Sequence, residues 1–280
     1  MRSTRTLSVA FASAIVLWAA SASADTVTNA PATFTQSTAA SVLRIADGNR
    51  GRMDGEERFR YPGFEQTALV QSRGKVIAIT MESVNEPNQG PVQCSCTSYQ
   101  LNPNGPPTII TPLTRLTAYN NDRACNHPKA AADENGNIVW AFGSRASELD
   151  PNNNDKTNMY AGVIDEKCEQ LAAPTMMNIK RNANDGAPDV VYMGGGHFVM
   201  GYYSDGGDNG GQDTFPAETG RYSVALGVDL VPGALLPTLN RTWIKEQVTV
   251  TDIGRPTIVK AGDDNRALFC APYGPNRPSM

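Results

Sequence analysis

Four segments of the chain repeat one pattern of apolar and polar positions. Each has a short run of apolar or small residues, then a tight polar turn, and then a second run rich in β-branched and aromatic residues. This is the pattern of a β-hairpin. The segments cover residues 66–80, 128–142, 188–202 and 256–270, so their successive starts lie 62, 60 and 68 residues apart. The near-constant interval predicts an internal structural repeat.

Further strands are predicted after each of the first three hairpins. The predicted third strands are 92–101, 159–165 and 222–229, and the predicted fourth strands are 108–117, a short candidate near 177–180, and 242–251. Four antiparallel strands repeated at a fixed period predict an all-β fold, namely a β-propeller of four-stranded antiparallel blades. A β-sandwich with unrelated hairpins is the alternative.

The fourth repeat stops after its hairpin, because only ten residues follow Cys270. About four blades are therefore visible within residues 61–280, and the last of them is incomplete. Residues 32–46, in an N-terminal segment that spans 25–60, are a candidate for a strand that completes this blade. Two interpretations stay open: the chain is part of a longer propeller, or another chain completes it.

Residues 1–24 have the three parts of a secretory signal peptide. Arg2 and Arg5 form a positive region, residues 7–20 are almost wholly apolar, and Ala22-Ser23-Ala24 supplies small residues at the positions that signal peptidase reads. The apolar run is too short for a transmembrane helix, and no later stretch is long enough for one. We therefore expect cleavage near Ala24 and a protein that is secreted, either periplasmic or extracellular, with no transmembrane segment.

The composition narrows the range of partners. The chain carries 24 Lys and Arg against 28 Asp and Glu, a net charge of −4. This balance gives no electrostatic attraction to nucleic acid, so we expect no nucleic-acid partner. The 25 glycines and 19 prolines suit short strands joined by turns.

The chain has five cysteines, Cys94, Cys96, Cys125, Cys168 and Cys270. Cys94 and Cys96 are separated by one residue, so they share one face of a strand and are poor partners for each other. Export permits disulfides. The odd count leaves one thiol over, or pairs it with another chain. The pairing of the remaining cysteines stays open.

One face of the predicted propeller holds the candidate ligand-binding residues. The loops that lead into the first strand of each blade share this face with the loops between the second and third strands. The candidates in the loops between blades are Arg123, His127, Arg181, Asp185 and Arg255. The three arginines lie in three different loops, and together they would suit a carboxylate. The other histidine, His197, is expected on the opposite face, which argues against a two-histidine site.

Two acidic loops are candidates for calcium, which is the one possible cofactor, and neither loop makes a cofactor obligatory. The candidate ligands are Asp150, Asn152 and Asn154 in the first loop, and Asp205, Asp208 and Asp213 in the second. In the first loop, Asp155 and Ala161 replace the glycine and the bidentate glutamate of a standard calcium loop. The second loop follows no standard spacing. Solvated turns are the alternative.

The segment Ala187-Pro188-Asp189, with the strand residues around it, resembles a blade of the five-bladed arabinanase- and xylosidase-type glycoside hydrolases. In that family the motif presents an Asp at the channel mouth that tunes the catalytic acid, so the resemblance implies a catalytic role for Asp189. The family's general base would fall at Asn126-His127-Pro128, and its acid at Gly254-Arg255-Pro256, where this chain has no carboxylate. Glycoside hydrolysis needs two carboxylates. The chain is also loosely similar to sialidase-like propellers, although it lacks their Ser-x-Asp-x-Gly-x-Thr-Trp box.

Three functions follow from these observations. The preferred one is an exported binding or scaffold module that recognises a glycan or a surface protein through its loop-rich face, because no complete catalytic set is present. The first alternative is a glycoside hydrolase or sialidase-like enzyme centred on Asp189. The second is a structural component of an envelope or extracellular assembly, which the incomplete last blade and the odd cysteine favour.

Overall fold

The chain folds into short strands joined by turns and loops. The structure is a computed structural model that describes residues 67–83, 92–103, 105–119, 125–152, 156–178, 185–204, 221–233, 236–249, 256–262 and 266–270. The strands within these residues are β1 (Ala68–Ser72), β2 (Lys75–Ser83), β3 (Val92–Gln100), β4 (Thr108–Arg115), β5 (Asn126–Ala132), β6 (Ile138–Ser144), β7 (Asn158–Ile164), β8 (Gln170–Met176), β9 (Asp185–Gly194), β10 (His197–Ser204), β11 (Arg221–Val231), β12 (Thr238–Thr249), β13 (Thr257–Lys260) and β14 (Ala267–Cys270). No helix occurs in the described ranges.

Consecutive strands form separate antiparallel sheets. Strands β1 to β4 make blade 1, β5 to β8 make blade 2, and β9 to β12 make blade 3, while β13 and β14 form a two-stranded sheet, the last hairpin. The blades meet through their first strands, since β1 contacts β5, β5 contacts β9, and β9 contacts β13. Four-stranded meanders that follow one another in this way are the blades of a β-propeller. The predicted all-β fold of four-stranded antiparallel blades is confirmed, including a last repeat with only two strands in the part of the chain described.

The burial of blade 2 shows that the blade lies between two neighbours. Every residue of β6 and of β7 is buried, although successive side chains of a strand point to opposite faces. Trp140, Phe142 and Tyr160 belong to the apolar cluster shared with blade 1, and Val139 and Met159 belong to the cluster shared with blade 3. A sandwich covers only one face of each sheet, so burial on both faces favours the propeller over that alternative.

The outermost strand of blade 2 differs from the prediction. The sequence predicts it near 177–180, whereas β8 ends at Met176. The residues of β8 are exposed or half-buried, so this edge strand has no continuous apolar run to mark it. Its Pro174 falls at a register shift opposite Ala161 to Val163 of β7, a position where an edge strand tolerates proline. The outermost strand therefore lies before the predicted position: Met177 and Asn178 follow it, and residues 179–180 lie outside the described residues. In blade 3, β12 begins at Thr238 rather than at 242.

Two disulfides join blade 1 to blade 2. Cys94 of β3 bonds to Cys125, which directly precedes β5, with Cα atoms 5.5 Å apart. Cys96 of β3 bonds to Cys168, in the turn after β7, with Cα atoms 5.8 Å apart. Cys94 and Cys96 therefore do not pair with each other, as their shared strand face predicts. Cys270 is the odd thiol and is exposed at the end of β14.

The disulfides bear on the compartment in which the protein works. The four bonded cysteines are buried, and such disulfides fit an oxidising compartment outside the cytoplasm. No helix in the described residues is long and apolar enough to span a membrane. The predicted signal peptide (1–24) and the N-terminal segment (25–60), with its candidate strand at 32–46, lie outside the described residues.

Candidate functional site

The first strands of the blades begin at one end of the propeller, which we call the mouth. The mouth consists of residues 125–128 at the start of β5, 185–189 at the start of β9 and 256–258 at the start of β13. Because each sheet is an antiparallel meander, the ends of the second strands, at 142–144 and 201–204, lie at the mouth as well. A ligand at this end of the propeller would meet side chains from several blades.

Strand β5 enters the mouth through a bulge. Asn126 pairs with Gly143 and Lys129 pairs with Ala141, so His127 and Pro128 together stand opposite one residue. His127 has a φ of 51°, a left-handed conformation that is uncommon for a residue before proline. The sequence predicts His127 in the loop between blades, whereas the structure places it inside β5, half-buried.

Strand β9 repeats this irregularity in the next blade. Gly186 pairs with Tyr203 and Asp189 pairs with Gly201, which leaves Ala187 and its following proline in the bulge. Ala187 has a φ of 46°. Backbone strain of this kind persists only where surrounding contacts hold it, and it concentrates at binding sites. Two neighbouring first strands therefore each have a residue with a strained, left-handed backbone directly before a proline.

Asp189 connects blade 3 to the last hairpin. One carboxylate oxygen, Oδ1, accepts a hydrogen bond from the backbone N–H of Val190 at 3.0 Å. The other, Oδ2, accepts one from the backbone N–H of Ile258 in β13 at 2.7 Å. The half-buried carboxylate thus uses both oxygens to hold the backbone of two adjacent first strands.

Asp185 belongs to a layer of buried polar side chains at the mouth end of blades 2 and 3. It is 2% exposed, its backbone N–H donates to the carbonyl of Thr157 at 2.8 Å, and it pairs in register with Ser204. Below it, the amide of Asn178 donates to Asn158 at 2.7 Å and accepts the N–H of Met159 at 3.0 Å. The structure therefore places Asp185 at the first position of β9 rather than in the predicted loop.

Tyr203 is a further mouth residue, and no motif in the sequence marks it. A Cβ on Gly186 would come within 2.4 Å of the Tyr203 ring and hydroxyl, so the ring reaches the β9 backbone only because residue 186 is glycine. Tyr202 points the other way into the core between blades 2 and 3. The strand alternation separates the buried tyrosine from the half-buried one, but the bulge that sets their direction leaves no sequence signal.

Tyr119 lies where blades 1 and 2 meet at the mouth. The side-chain amide of Gln93 donates to its carbonyl, and the Tyr119 N–H donates back to the Gln93 oxygen at 3.2 Å. Burial raises the pKa of the Tyr119 phenol, and the nearby carboxylate of Glu148 raises it further. The phenol therefore remains protonated at neutral pH and can donate a hydrogen bond.

The candidate calcium ligands are only partly described. Asp150 is 2% exposed, and its Oδ1 accepts the backbone N–H of Asn152 at 3.2 Å, which closes a local turn. Within the described ranges, no three His, Cys, Asp or Glu side chains are arranged to hold a metal ion. The candidates that lie outside the described residues are Asn154, Asp205, Asp208 and Asp213 for calcium, and Arg123, Arg181 and Arg255 for a ligand.

Comparison with known proteins finds similarity only in structure. No protein-family model matches the chain, and no curated protein matches it. A thermostable family-43 glycoside hydrolase is 12% identical over 72% of this chain and 63% of its own, with a TM-score of 0.43. The α-L-arabinofuranosidase of Lactobacillus brevis is 13% identical over 72% and 63%, with a TM-score of 0.41. The Bombyx mori GH32 β-fructofuranosidase is 10% identical over 70% and 40%, with a TM-score of 0.42.

The chain spans less than two thirds of the length of these three structures. They are glycoside hydrolases by name, so the loose resemblance of this chain to that class of protein is confirmed. At this level of identity the likeness concerns the fold.

Proposed function

We propose that the protein is an exported β-propeller that binds a glycan at the mouth without hydrolysing it. The observation that carries this proposal is the bonding of Asp189. Both oxygens of its carboxylate accept backbone N–H groups, which supports a role in joining blade 3 to the last hairpin. A carboxylate held in this way is poorly placed to act on a glycosidic bond, where two carboxylates must flank the scissile atoms.

The chemistry of the mouth suits a sugar polymer. The buried layer of Asn, Ser and Asp side chains fixes the strand ends, and the half-buried Tyr203 offers an aromatic face with a polar tip. The net charge of −4 disfavours an acidic polymer and favours a neutral one. A surface protein is the other ligand class, and the following experiment separates the two.

Affinity electrophoresis of the mature chain in gels that contain neutral polysaccharides tests glycan binding directly. We expect at least one polymer to retard the protein, and Tyr203→Ala to weaken the retardation about tenfold while Tyr203→Phe preserves it, because the ring face supplies the contact. Glu169→Gln, in the exposed turn after β7 and away from the mouth, is the matched control and leaves migration unchanged. Equal retardation of wild type and Tyr203→Ala, or no retardation by any polymer, would contradict glycan binding at the mouth.

A glycoside hydrolase centred on Asp189 is the second candidate. It is favoured by one observation, the presence of two carboxylates, Asp185 and Asp189, in the first half of the same inner strand. Release of reducing sugar from a polysaccharide panel, measured for the wild type and for Asp189→Asn, decides between the two functions. Release that disappears in the variant would establish the enzyme, and we expect none from either protein.

A further inference from the structure

The end of the propeller opposite the mouth carries a cleft between blades 2 and 3. It encloses about 340 Å³ and is bordered by the turn between β5 and β6, the turn between β9 and β10, and the residues that follow β11. This volume falls within the range of pockets that take small organic ligands. No residue of the mouth lines the cleft.

The wall contributed by blade 2 is held rigidly by Asp133. Its Oδ1 accepts the backbone N–H groups of Asn135 at 2.9 Å and Asn137 at 2.8 Å, and its Oδ2 accepts the side-chain amide of Asn137 at 2.8 Å. The hydroxyl of Tyr192 then donates to the carboxylate of Glu134 and accepts the N–H of Gly196 at 3.3 Å. The turns of blades 2 and 3 are therefore connected before any ligand arrives, which lowers the entropic cost of binding.

The part of the blade 3 wall that the turn between β9 and β10 contributes is bare backbone. Gly194, Gly195 and Gly196 have φ values of 115°, 61° and 81°, which side-chain-bearing residues rarely adopt. A Cβ on Gly194 would meet no atom within 4 Å, and one on Gly195 would meet only the ring of His197, at 3.6 Å. Gly194 and Gly195 thus leave open space in front of this turn, whereas a Cβ on Gly196 would lie 3.1 Å from the carbonyl oxygen of Leu230. Gly195 and Gly196 line the cleft.

The two acidic residues of the cleft already accept hydrogen bonds from groups of the protein. Both carboxylate oxygens of Asp133 accept hydrogen bonds from its own turn. The guanidinium of Arg73 lies against the same turn, and its pKa, raised mainly by a hydrogen bond to Glu166, is raised further by the negative charge of Asp133. The Glu134 carboxylate accepts a hydrogen bond from the Tyr192 hydroxyl. No lysine or arginine is among the described residues that line the cleft, so an anion would find no counter-charge there.

The remaining residues that line the cleft combine hydrogen-bonding side chains with apolar side chains. Glu134 and Asn135 are exposed on one side, while Pro232 and Pro237 stand with Leu230 on the other. Vicinal hydroxyls pair well with carboxylate and amide groups, and the C–H face of a sugar ring packs against proline and leucine. We propose that this cleft binds one or two units of a neutral saccharide, as a second site that does not depend on binding at the mouth.

Saturation-transfer NMR of the mature chain with a panel of neutral mono- and disaccharides tests the proposal, followed by titration of any ligand found. We expect at least one saccharide to bind. Asn135→Trp places a large ring in the cleft while keeping the backbone N–H that Asp133 accepts, and we expect it to weaken affinity at least tenfold. Asn135→Ala, which adds no bulk, should weaken it about threefold through one lost hydrogen bond. Unchanged thermal unfolding of both variants shows that they are folded.

Tyr203→Ala at the mouth is the matched control, and it should bind the same saccharide as tightly as the wild type. Binding that is lost in Tyr203→Ala and kept in Asn135→Trp would overturn the second site and support the mouth instead. Absence of saccharide binding would also overturn it, as would tighter binding of an ammonium compound such as lysine methyl ester than of any sugar. The loss of retardation by polysaccharide gels in Tyr203→Ala would still test the mouth separately, because this variant leaves the cleft unchanged.

Discussion

The junction between blades 1 and 2 and the junction between blade 3 and the last hairpin are built differently. The first has two disulfides and a buried carboxylate, Glu166, that accepts hydrogen bonds from Ser72 at 2.6 Å, from Arg73 at 2.8 and 2.9 Å, and from Lys75. The second has the carboxylate of Asp189 on the backbone of β13.

Apolar packing separates the two junctions as well. Between blades 1 and 2, the rings of Trp140 and Phe142 stack with centroids 4.5 Å apart inside a buried cluster. At the last hairpin, Phe269 packs with a β13 isoleucine over Gly201, while Val259 and Leu268 remain 46% and 55% exposed. We infer that opening starts at the last hairpin, and that the mouth combines a rigid half with a weakly held half.

The largest effect is expected from the disulfide between Cys96 and Cys168. Replacing both with alanine should lower the free energy of unfolding by about 2–5 kcal/mol, because the unfolded chain regains the freedom of a long loop. Guanidinium unfolding of the variant and the wild type measures the change. Cys270→Ala is the control, and its exposed position predicts a change within about 0.5 kcal/mol. A double variant as stable as this control would show that the other contacts already hold the junction.

A smaller and more local effect is expected from Asp189→Ala. It leaves the backbone N–H groups of Val190 and Ile258 without their acceptor, at a cost of about 1–3 kcal/mol. Amide exchange measured by mass spectrometry should therefore rise in residues 257–270 and stay constant in β6 and β7. Asp229→Ala, which removes the half-buried partner of the exposed His197, is the control. Equal exchange in both variants would mean that apolar packing alone holds the last hairpin.

The parts of the fold that the sequence predicts are those with local signals. The hairpins follow from strand alternation and turn residues that lie within fifteen positions of one another. The contacts at the two junctions join residues that are far apart, 72 positions for Cys96 and Cys168 and 69 for Asp189 and Ile258. Pairing over such distances depends on how blades stack, which no short pattern encodes.

The mouth was predictable as a location but not in its geometry. Residues before proline favour an extended conformation, so the sequence indicates loops leading into strands at His127 and Ala187. The structure instead has left-handed residues inside bulged strands. The bulge in β9 also places the Tyr203 ring against Gly186, and it brings the Asp189 carboxylate within hydrogen-bond distance of β13. The local rule fails where packing between blades overrides it.

The smallest effect concerns Glu166 and depends on pH. The hydrogen bond from Arg73 is the largest cause that lowers the pKa of this carboxyl from its ordinary value of 4.5 to about 2; burial opposes the shift, and Lys75 and Ser72 add to it. Because the pKa is lower in the folded protein, the carboxylate stabilises the fold fully above about pH 5, and this contribution is lost as the pH falls toward 2. Glu166→Gln should thus cost about 1 kcal/mol at neutral pH and almost nothing near pH 2.

Unfolding free energies of the wild type and Glu166→Gln across this pH range measure the contribution. Glu169→Gln is the matched control, since Glu169 lies exposed on the same turn and its replacement should change stability little at any pH. A difference for Glu166→Gln that stays constant into acid would mean that the ionised carboxylate does not stabilise the junction. The disulfides would then account for the contrast between the two junctions. A difference that fades toward pH 2 would show that blades 1 and 2 are held by charge as well as by covalent bonds.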